Sequence, residues 1–172
     1  SKKPFIHTSG SSIVGDEAKG SFSDVIYDEE THFEPLPGRV NRVSINETVI
    51  ESATKGIRSM VIAPTMIYGT GLGVNPHSIQ LPWLIDLAKK HNCAHHIGPG
   101  TNIWANVHIE DVVDLYLLAL SDGQPGGFYY AENGESSMRH ICELINEVFS
   151  FEGEPREITI KEATSEWGES AA

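Results

Sequence analysis

The segment Ile57–Ala63, IRSMVIA, carries no charge after Arg58 and is stopped by Pro64. It is too short for a helix buried all round, and its β-branched and large apolar side chains suit a strand covered on both faces. Such strands belong to parallel sheets with helical crossovers, so the flanking segments should alternate between strand and helix. They do. Lys3–Ser9 reads as a second buried strand, and Val40–Lys55 as a helix in which Val43, Val49, Ile50 and Ala53 recur at near-helical spacing before Gly56 ends it. Ser78–His91 is amphipathic, and short strands are expected at Ala94–Ile97 and Ile103–Val107.

Further along, Glu110–Leu120 sets Val112, Val113, Tyr116, Leu117 and Leu120 on one helical stripe. Gly126-Gly127 introduces the core strand FYYA, and Ser136 is expected to cap a helix aligning Met138, Ile141, Cys142, Ile145, Val148 and Phe149. Gly15–Gly38, rich in Asp, Glu, Gly and Pro, is expected to be a long loop. Glu152–Ala172 reads as a charged tail with one candidate strand at Glu157–Ile160.

With 172 residues, 40% of them hydrophobic, the chain can bury one real core or be a piece of something larger. A formal net charge of -12 argues against nucleic acid and anionic membrane surfaces as partners. It leaves room for a phosphate-bearing ligand held by backbone N–H groups. No apolar run is long enough to span a bilayer and no leader is apparent, so a cytoplasmic setting is expected, with Cys93 and Cys142 as reduced thiols.

Ligands of open parallel sheets sit beyond the carboxyl ends of the strands. HTSGSS, residues 7–12, and APTMIYGTG, residues 63–71, both fall at expected strand ends and can face one ligand from neighbouring positions. The hydroxyls of Thr8–Ser12 either orient a substrate or bond the local backbone in a tight turn. Arg39 and Arg42 either reach a pyrophosphate or carboxylate or are solvated, and Tyr68 either touches a ligand or anchors the turn before Gly69. In HNCAHHIG the neighbouring His95 and His96 point to opposite faces of a strand, so with His91 and Cys93 they are not expected to hold a metal. Trp104 either lines a substrate pocket or fills the core, and Glu110 or Asp111 is expected to cap a helix rather than form a dyad with His108. No Gly-x-Ser-x-Gly elbow is present.

The succession FIHTSGSSIVGD, acidic loop, RVNRVSINETVIESATKGIRSMVIAPTMIYGTG, NIWANVHIEDVVDLYLLAL and GGFYYAENGESSMRHICELINEVF resembles the extended short-chain dehydrogenase/reductase family. More narrowly it is similar to the NAD-dependent epimerase/dehydratase group acting on nucleotide sugars and related substrates. The resemblance implies an α/β, Rossmann-like three-layer fold, present as the C-terminal half of a parallel sheet with a small substrate-binding subregion. It divides the chain into 1–68, the second half of the dinucleotide-binding domain; 69–108, a mixed insertion; 109–150, the returning helix, strand and helix; and 151–172, the start of the C-terminal substrate region.

In that family a Ser or Thr follows the first of these strands and a Tyr-x-x-x-Lys pair opens the next helix, the Tyr serving as acid/base and the Lys lowering its pKa. By position the hydroxyl falls on Gly10, the Tyr on Arg39 and the Lys on Val43. Arg stays protonated and Val has no proton to exchange, so the usual acid/base machinery is absent. The resemblance implies cofactor contacts at Thr8, Ser9, Gly10, Pro64, Thr65, Met66 and Tyr68, and substrate contacts at Trp104, Asn106 and His108. Candidate catalytic residues are Ser11, Ser12 and Arg39. NAD or NADP is implied for the full-length protein. The Gly-x-x-Gly-x-x-Gly turn is not among these residues, so the chain is expected to be a fragment that binds no dinucleotide tightly.

Two functions remain open: an oxidoreductase acting on a nucleotide-sugar-like or ketone-bearing substrate with an unusual proton donor, or a non-catalytic relative that binds a dinucleotide or metabolite in a regulatory or scaffolding role. The strand at Phe5–Ser9 should be interior in the parent sheet. Its open edge is therefore expected to pair with another chain or a rearranged segment.

Overall fold

The computed structural model describes residues 3–168. The elements run β1 (Pro4–Thr8), α1 (Val40–Glu51), β2 (Arg58–Pro64), β3 (Met66–Tyr68), α2 (Gln80–His91), β4 (His95–Ile97), β5 (Ile103–His108), α3 (Ile109–Asp122), β6 (Gly127–Ala131), β7 (Glu135–Ser137), α4 (Met138–Phe149), β8 (Arg156–Ile158) and α5 (Ile160–Trp167).

β2 is the centre of a wholly parallel sheet ordered β1-β2-β6. Residues Ser59–Ala63 are completely buried, as an unbroken apolar run requires. Met60 and Ile62 pack with Val112 and Ala119 of α3, while Ser59 faces α1 and its hydroxyl accepts a hydrogen bond of 2.8 Å from Ser52. Helices thus cover both faces of the strand, and burial of Met60 and Ile62 contributes on the order of 2 kcal/mol each. A second core lies between α2 and α4, where Met66, Leu84, Ala88, Ile141, Cys142 and Ile145 meet.

Two smaller sheets extend the fold. β3 pairs with β5 in parallel, β5 pairs with β7 antiparallel, and β4 pairs with β8 in parallel. The long loop is strapped down at two points. The Gly20 carbonyl accepts from the N–H groups of Thr101 (2.8 Å) and Asn102 (3.1 Å), and the Glu29 carboxylate accepts from the Tyr130 N–H (3.0 Å) on β6. β1 pairs only with β2 among the described strands, and Phe5 is 53% exposed.

Several boundaries differ from expectation for local reasons. α1 ends at Glu51 and tightens into a 3-10 turn over Ser52–Lys55 before Gly56, which takes the left-handed conformation at φ +81°. Ser137, not Ser136, caps α4, its hydroxyl accepting from the His140 N–H at 3.2 Å. His108, not Glu110 or Asp111, caps α3: its Nδ1 accepts from the Glu110 N–H at 3.3 Å, and the two acids occupy the first turn, where they suit the helix dipole. The tail holds β8 at Arg156–Ile158 rather than Glu157–Ile160, and then a helix that its charge pattern concealed.

That helix, α5, starts on a reciprocal capping box between Thr159 and Glu162. It buries Ala163 completely and sets Trp167 edge-to-face on Trp83 with ring centroids 5.7 Å apart. Glu166 pairs with His91 and, at 3.3 Å, with Lys90. Among the described residues no helix is long and apolar enough to cross a membrane.

Candidate functional site

The parallel register sets Thr8 beside Ile62 and Pro64 beside Ala131, so three strands end at one level. The Ser9 N–H continues the pairing to the Ile62 carbonyl at 2.8 Å. Thr65 donates from both its N–H (3.1 Å) and its hydroxyl (2.9 Å) to the Ala131 carbonyl, which fixes the end of β2 to β6. The side chain of Thr65 is thereby engaged in the fold, and that of Met66 is buried against α2 and α4.

Side chains of β1 alternate between the two helical layers. Ile6 packs on the α3 side, and the Thr8 hydroxyl is hydrogen-bonded to the Tyr116 hydroxyl of α3. Ser9 therefore faces α1, where its hydroxyl is buried without a partner. Gly10 leads into a 3-10 turn over Ser11–Ile13. Above it, Arg42 in the first turn of α1 donates from Nη1 to the Ser12 hydroxyl at 3.0 Å. A Cβ on Gly10 would lie 3.6 Å from that Nη1 and 4.0 Å from the Pro64 carbonyl oxygen. The turn after β1, the end of β2 and the start of α1 thus converge on one point. Arg39 sits at the N-cap of α1, exposed, and makes no ion pair among the described residues. Val43 is half-buried. The cation that enters the crevice is Arg42.

A second cluster adjoins β3 and β5. Tyr68 and His108 are register partners with rings edge-to-face at 5.3 Å. Gly69, at φ +92°, allows the approach, since a Cβ there would meet His108 Nε2 at 2.3 Å. Because His108 Nδ1 accepts the capping bond, the neutral ring carries its proton on Nε2. Trp104, Asn106 and His108 alternate onto the face of β5 opposite buried Val107. Trp104 is 43% exposed on that face and so does not fill the core. The Asn106 amide donates to the Ser136 hydroxyl at 3.4 Å and its carbonyl oxygen lies against Gly134.

The histidine-rich stretch does not converge. His96 is buried, and its Nδ1–H donates to the Gly98 carbonyl at 2.8 Å. His91 and His95 lie ring against ring at 4.9 Å on the other side, and burial, with the charges of His91 and Arg156, holds His95 below its ordinary pKa. Among the described residues no group of three His, Cys, Asp or Glu side chains is placed to hold a metal. A cavity of about 540 Å³ opens beside this pair between β4, β8 and α5, and it shares no lining residue with the strand-end crevice. Burial, reinforced by Cys93, pushes the Cys142 thiol up to about 12, which leaves it protonated and unreactive.

Residues 1–130 match the family model of the NAD dependent epimerase/dehydratase family. The chain belongs to this family. It is 29% identical to an uncharacterised protein of Schizosaccharomyces pombe over 131 residues, 76% of this chain and 40% of that one. It is 26% identical to an uncharacterised protein of Saccharomyces cerevisiae over 153 residues, 87% of this chain and 47% of that one. Among solved structures it is similar to a dTDP-glucose 4,6-dehydratase from Bacillus anthracis in complex with NAD, with TM-score 0.70 and 18% identity over 90% of this chain and 49% of that one. It is also similar to a UDP-glucose 4-epimerase from Thermotoga maritima with UDP-glucose, with TM-score 0.69 and 17% identity over 91% of this chain and 50% of that one. The chain spans about half the length of the relatives it matches, so it presents a part of their Rossmann-like α/β fold.

Within this epimerase/dehydratase chain, two site features escaped the sequence reading. Tyr116 shares the apolar stripe of its helix, and no local pattern signals that its hydroxyl reaches Thr8. Glu29, in the acidic loop, tethers Tyr130; burial and then the Glu29 charge push that phenol up to about 12.

Proposed function

We propose that this chain supplies the substrate side of an NAD(P)-dependent oxidoreductase acting on a nucleotide-sugar-like or other ketone- or hydroxyl-bearing substrate. The observation that carries the reading is the convergence of Gly10, Ser12, Arg42 and the end of β2 at the carboxyl ends of parallel strands. Ligands of such sheets bind at that place. The residues present fit one end of a dinucleotide: Gly10 exposes backbone without a side chain, and the Ser9 hydroxyl is buried with no partner. A bound nicotinamide would supply or take up hydride.

The chain's own groups would handle orientation and the proton. Arg42 donates to the Ser12 oxygen, which leaves the Ser12 O–H free to point at a substrate oxygen. The same bond from a permanent cation favours negative charge developing on that oxygen. Tyr68 and His108, held against each other, offer a phenol and an Nε2–H farther along the same end of the fold. Both cysteines are free, which suits a reducing, cytoplasmic setting.

A second reading, a non-catalytic binding relative, draws on Arg39 and Val43 standing where the family resemblance implies Tyr and Lys. Deuteride transfer separates the two. Full-length protein given [4-²H]NADH or [4-²H]NADPH and a panel of keto-sugar nucleotides and simple ketones should place deuterium in an alcohol product. Ser12→Ala should slow the transfer about 10²-fold. Cofactor binding without transfer to any carbonyl would establish the non-catalytic role instead.

A further inference from the structure

We infer that Arg42 and Ser12 receive an oxyanion of the bound ligand, a carboxylate or a phosphate, at the carboxyl end of the parallel sheet. The inference rests on the strand-end crevice being the ligand site and adds the charge class of what enters it. Arg42 is exposed, and none of the ion pairs among the described residues includes it, although the chain has 24 acidic residues against 12 Lys and Arg. Of its five N–H donors, one is directed to Ser12 at 3.0 Å. Nη1, the atom that donates to Ser12, stands over Gly10, where no side chain intervenes, and the planar fork to which it belongs matches two oxygens of a carboxylate or phosphate. The Ser12 O–H adds a third donor at the same point.

An independent sign comes from one turn farther along α1. Asn46 lies on the same helical face as Arg42, is only 3% exposed, and has no partner for either amide atom. Ser9, whose side chain also faces α1, has a buried hydroxyl in the same condition. Orphaned buried groups of this kind are unfavourable and call for a bound water or ligand. Two of them, one a helical turn from Arg42 and one adjoining Gly10, indicate that polar matter belongs between β1 and α1. A neutral sugar hydroxyl would leave the guanidinium charge uncompensated; an oxyanion compensates it.

The test uses the 172-residue chain labelled with nitrogen-15, following the Arg42 Nε–H and Gly10 N–H signals on addition of inorganic pyrophosphate or pyruvate, with sodium chloride at matched ionic strength as reference. Saturable shifts with Kd in the millimolar range are expected. Arg42→Gln should weaken binding at least about tenfold, Arg42→Lys should retain part of it because charge remains without the fork, and Ser12→Ala should weaken it about threefold. Lys55→Gln, which removes the same charge beyond the other end of α1, should leave it unchanged. Tighter pyrophosphate identifies a diphosphate as the source of the oxyanion, and tighter pyruvate a substrate carboxylate. Shifts that merely track ionic strength, or binding by a folded Arg42→Gln variant equal to wild type, overturn the inference. Oxyanion binding in a protein that transfers no deuteride would retire the oxidoreductase reading and leave this one standing.

Discussion

The hydroxyls of Thr8 and Tyr116 are hydrogen-bonded to each other across 108 positions of sequence, tying the last residue of β1 to the middle of α3. Thr8 immediately precedes the turn that presents Ser12, so this bond sets where the turn begins. Tyr116→Phe should lower stability by about 0.5–1 kcal/mol, the net worth of a hydrogen bond at a partly wet position, or about 2–3 °C in Tm for a chain of this size. Thr8→Val should cost a similar amount, and the double variant no more than either alone. Additive losses in that cycle would show that the two hydroxyls act independently.

Gly69 holds φ +92°, and a Cβ there would stand 2.3 Å from His108 Nε2. Gly69→Ala should therefore cost about 1–3 kcal/mol, through left-handed strain and displacement of the imidazole. His108 also caps α3, so the Glu110 amide should exchange with solvent faster in this variant. Gly71→Ala is the control: its Cβ would make ordinary contacts of 3.7 Å with Ile109 and Pro76. Equal melting temperatures for the two variants would contradict the close approach.

Expectation and structure agree where burial dominates and part where partners decide. β1, β2 and α1 were readable because apolar runs and helical spacing are local, and a strand covered on both faces has few alternatives. β3 and β7, three residues each, exist only because β5 lies between them, and no local pattern announces that. Residues Thr159–Glu162 do spell a capping box, yet the surrounding charge outweighed the signal; Ala163 and Trp167 are what hold α5 down. At the site, the strand-end placement of Ser9, Gly10 and Pro64 was readable from where the apolar runs stop. The bond between Ser12 and Arg42 was not, since the long acidic loop separates them in sequence. Size alone leaves Trp104 open between pocket and core; β-alternation decides it by setting Trp104 opposite buried Val107.

The docking of α5 should weaken in acid. Burial raises the Glu166 carboxyl, but bonds from His91 and Lys90 outweigh it and hold the pKa below the ordinary 4.5, so its contribution is complete above 4.5 and disappears as pH falls through the lower folded value. Burial, then His91 and Arg156, hold His95 below 6.5. The unfolded chain therefore takes up that proton first, and stability falls as pH drops below 6.5 until the folded value is reached. The remaining charged groups around the contact are Lys161 and Glu162, the latter also held low by its Thr159 hydrogen bonds. Tryptophan fluorescence, reporting on the Trp83–Trp167 contact, should change as pH falls below 6.5 and again as it falls below 4.5, before the main unfolding transition. Glu166→Gln should remove the lower limb and His95→Gln the upper one. A flat response over that range would refute the linkage.

The outer edge of β1 leads to a prediction about association. The Ser9 N–H bonds to β2, and strand alternation then turns the N–H groups of Ile6 and Thr8 outward, where no described strand meets them. Phe5 is 53% exposed beside that row. An apolar strand with open donors and acceptors is a template for another strand, and the chain's net charge of -12 only partly opposes contact because β1 itself carries no acidic residue. We expect self-association of this chain at about 10–100 μM, seen as a concentration-dependent mass in size-exclusion chromatography with light scattering. Phe5→Lys places a charge on the edge at a side chain more than half exposed, so it should shift the population towards monomer while leaving Tm within about 2 °C. A wild-type chain that stays monomeric throughout, with Phe5→Lys indistinguishable from it, would mean that the open edge is tolerated in water and is not where chains meet.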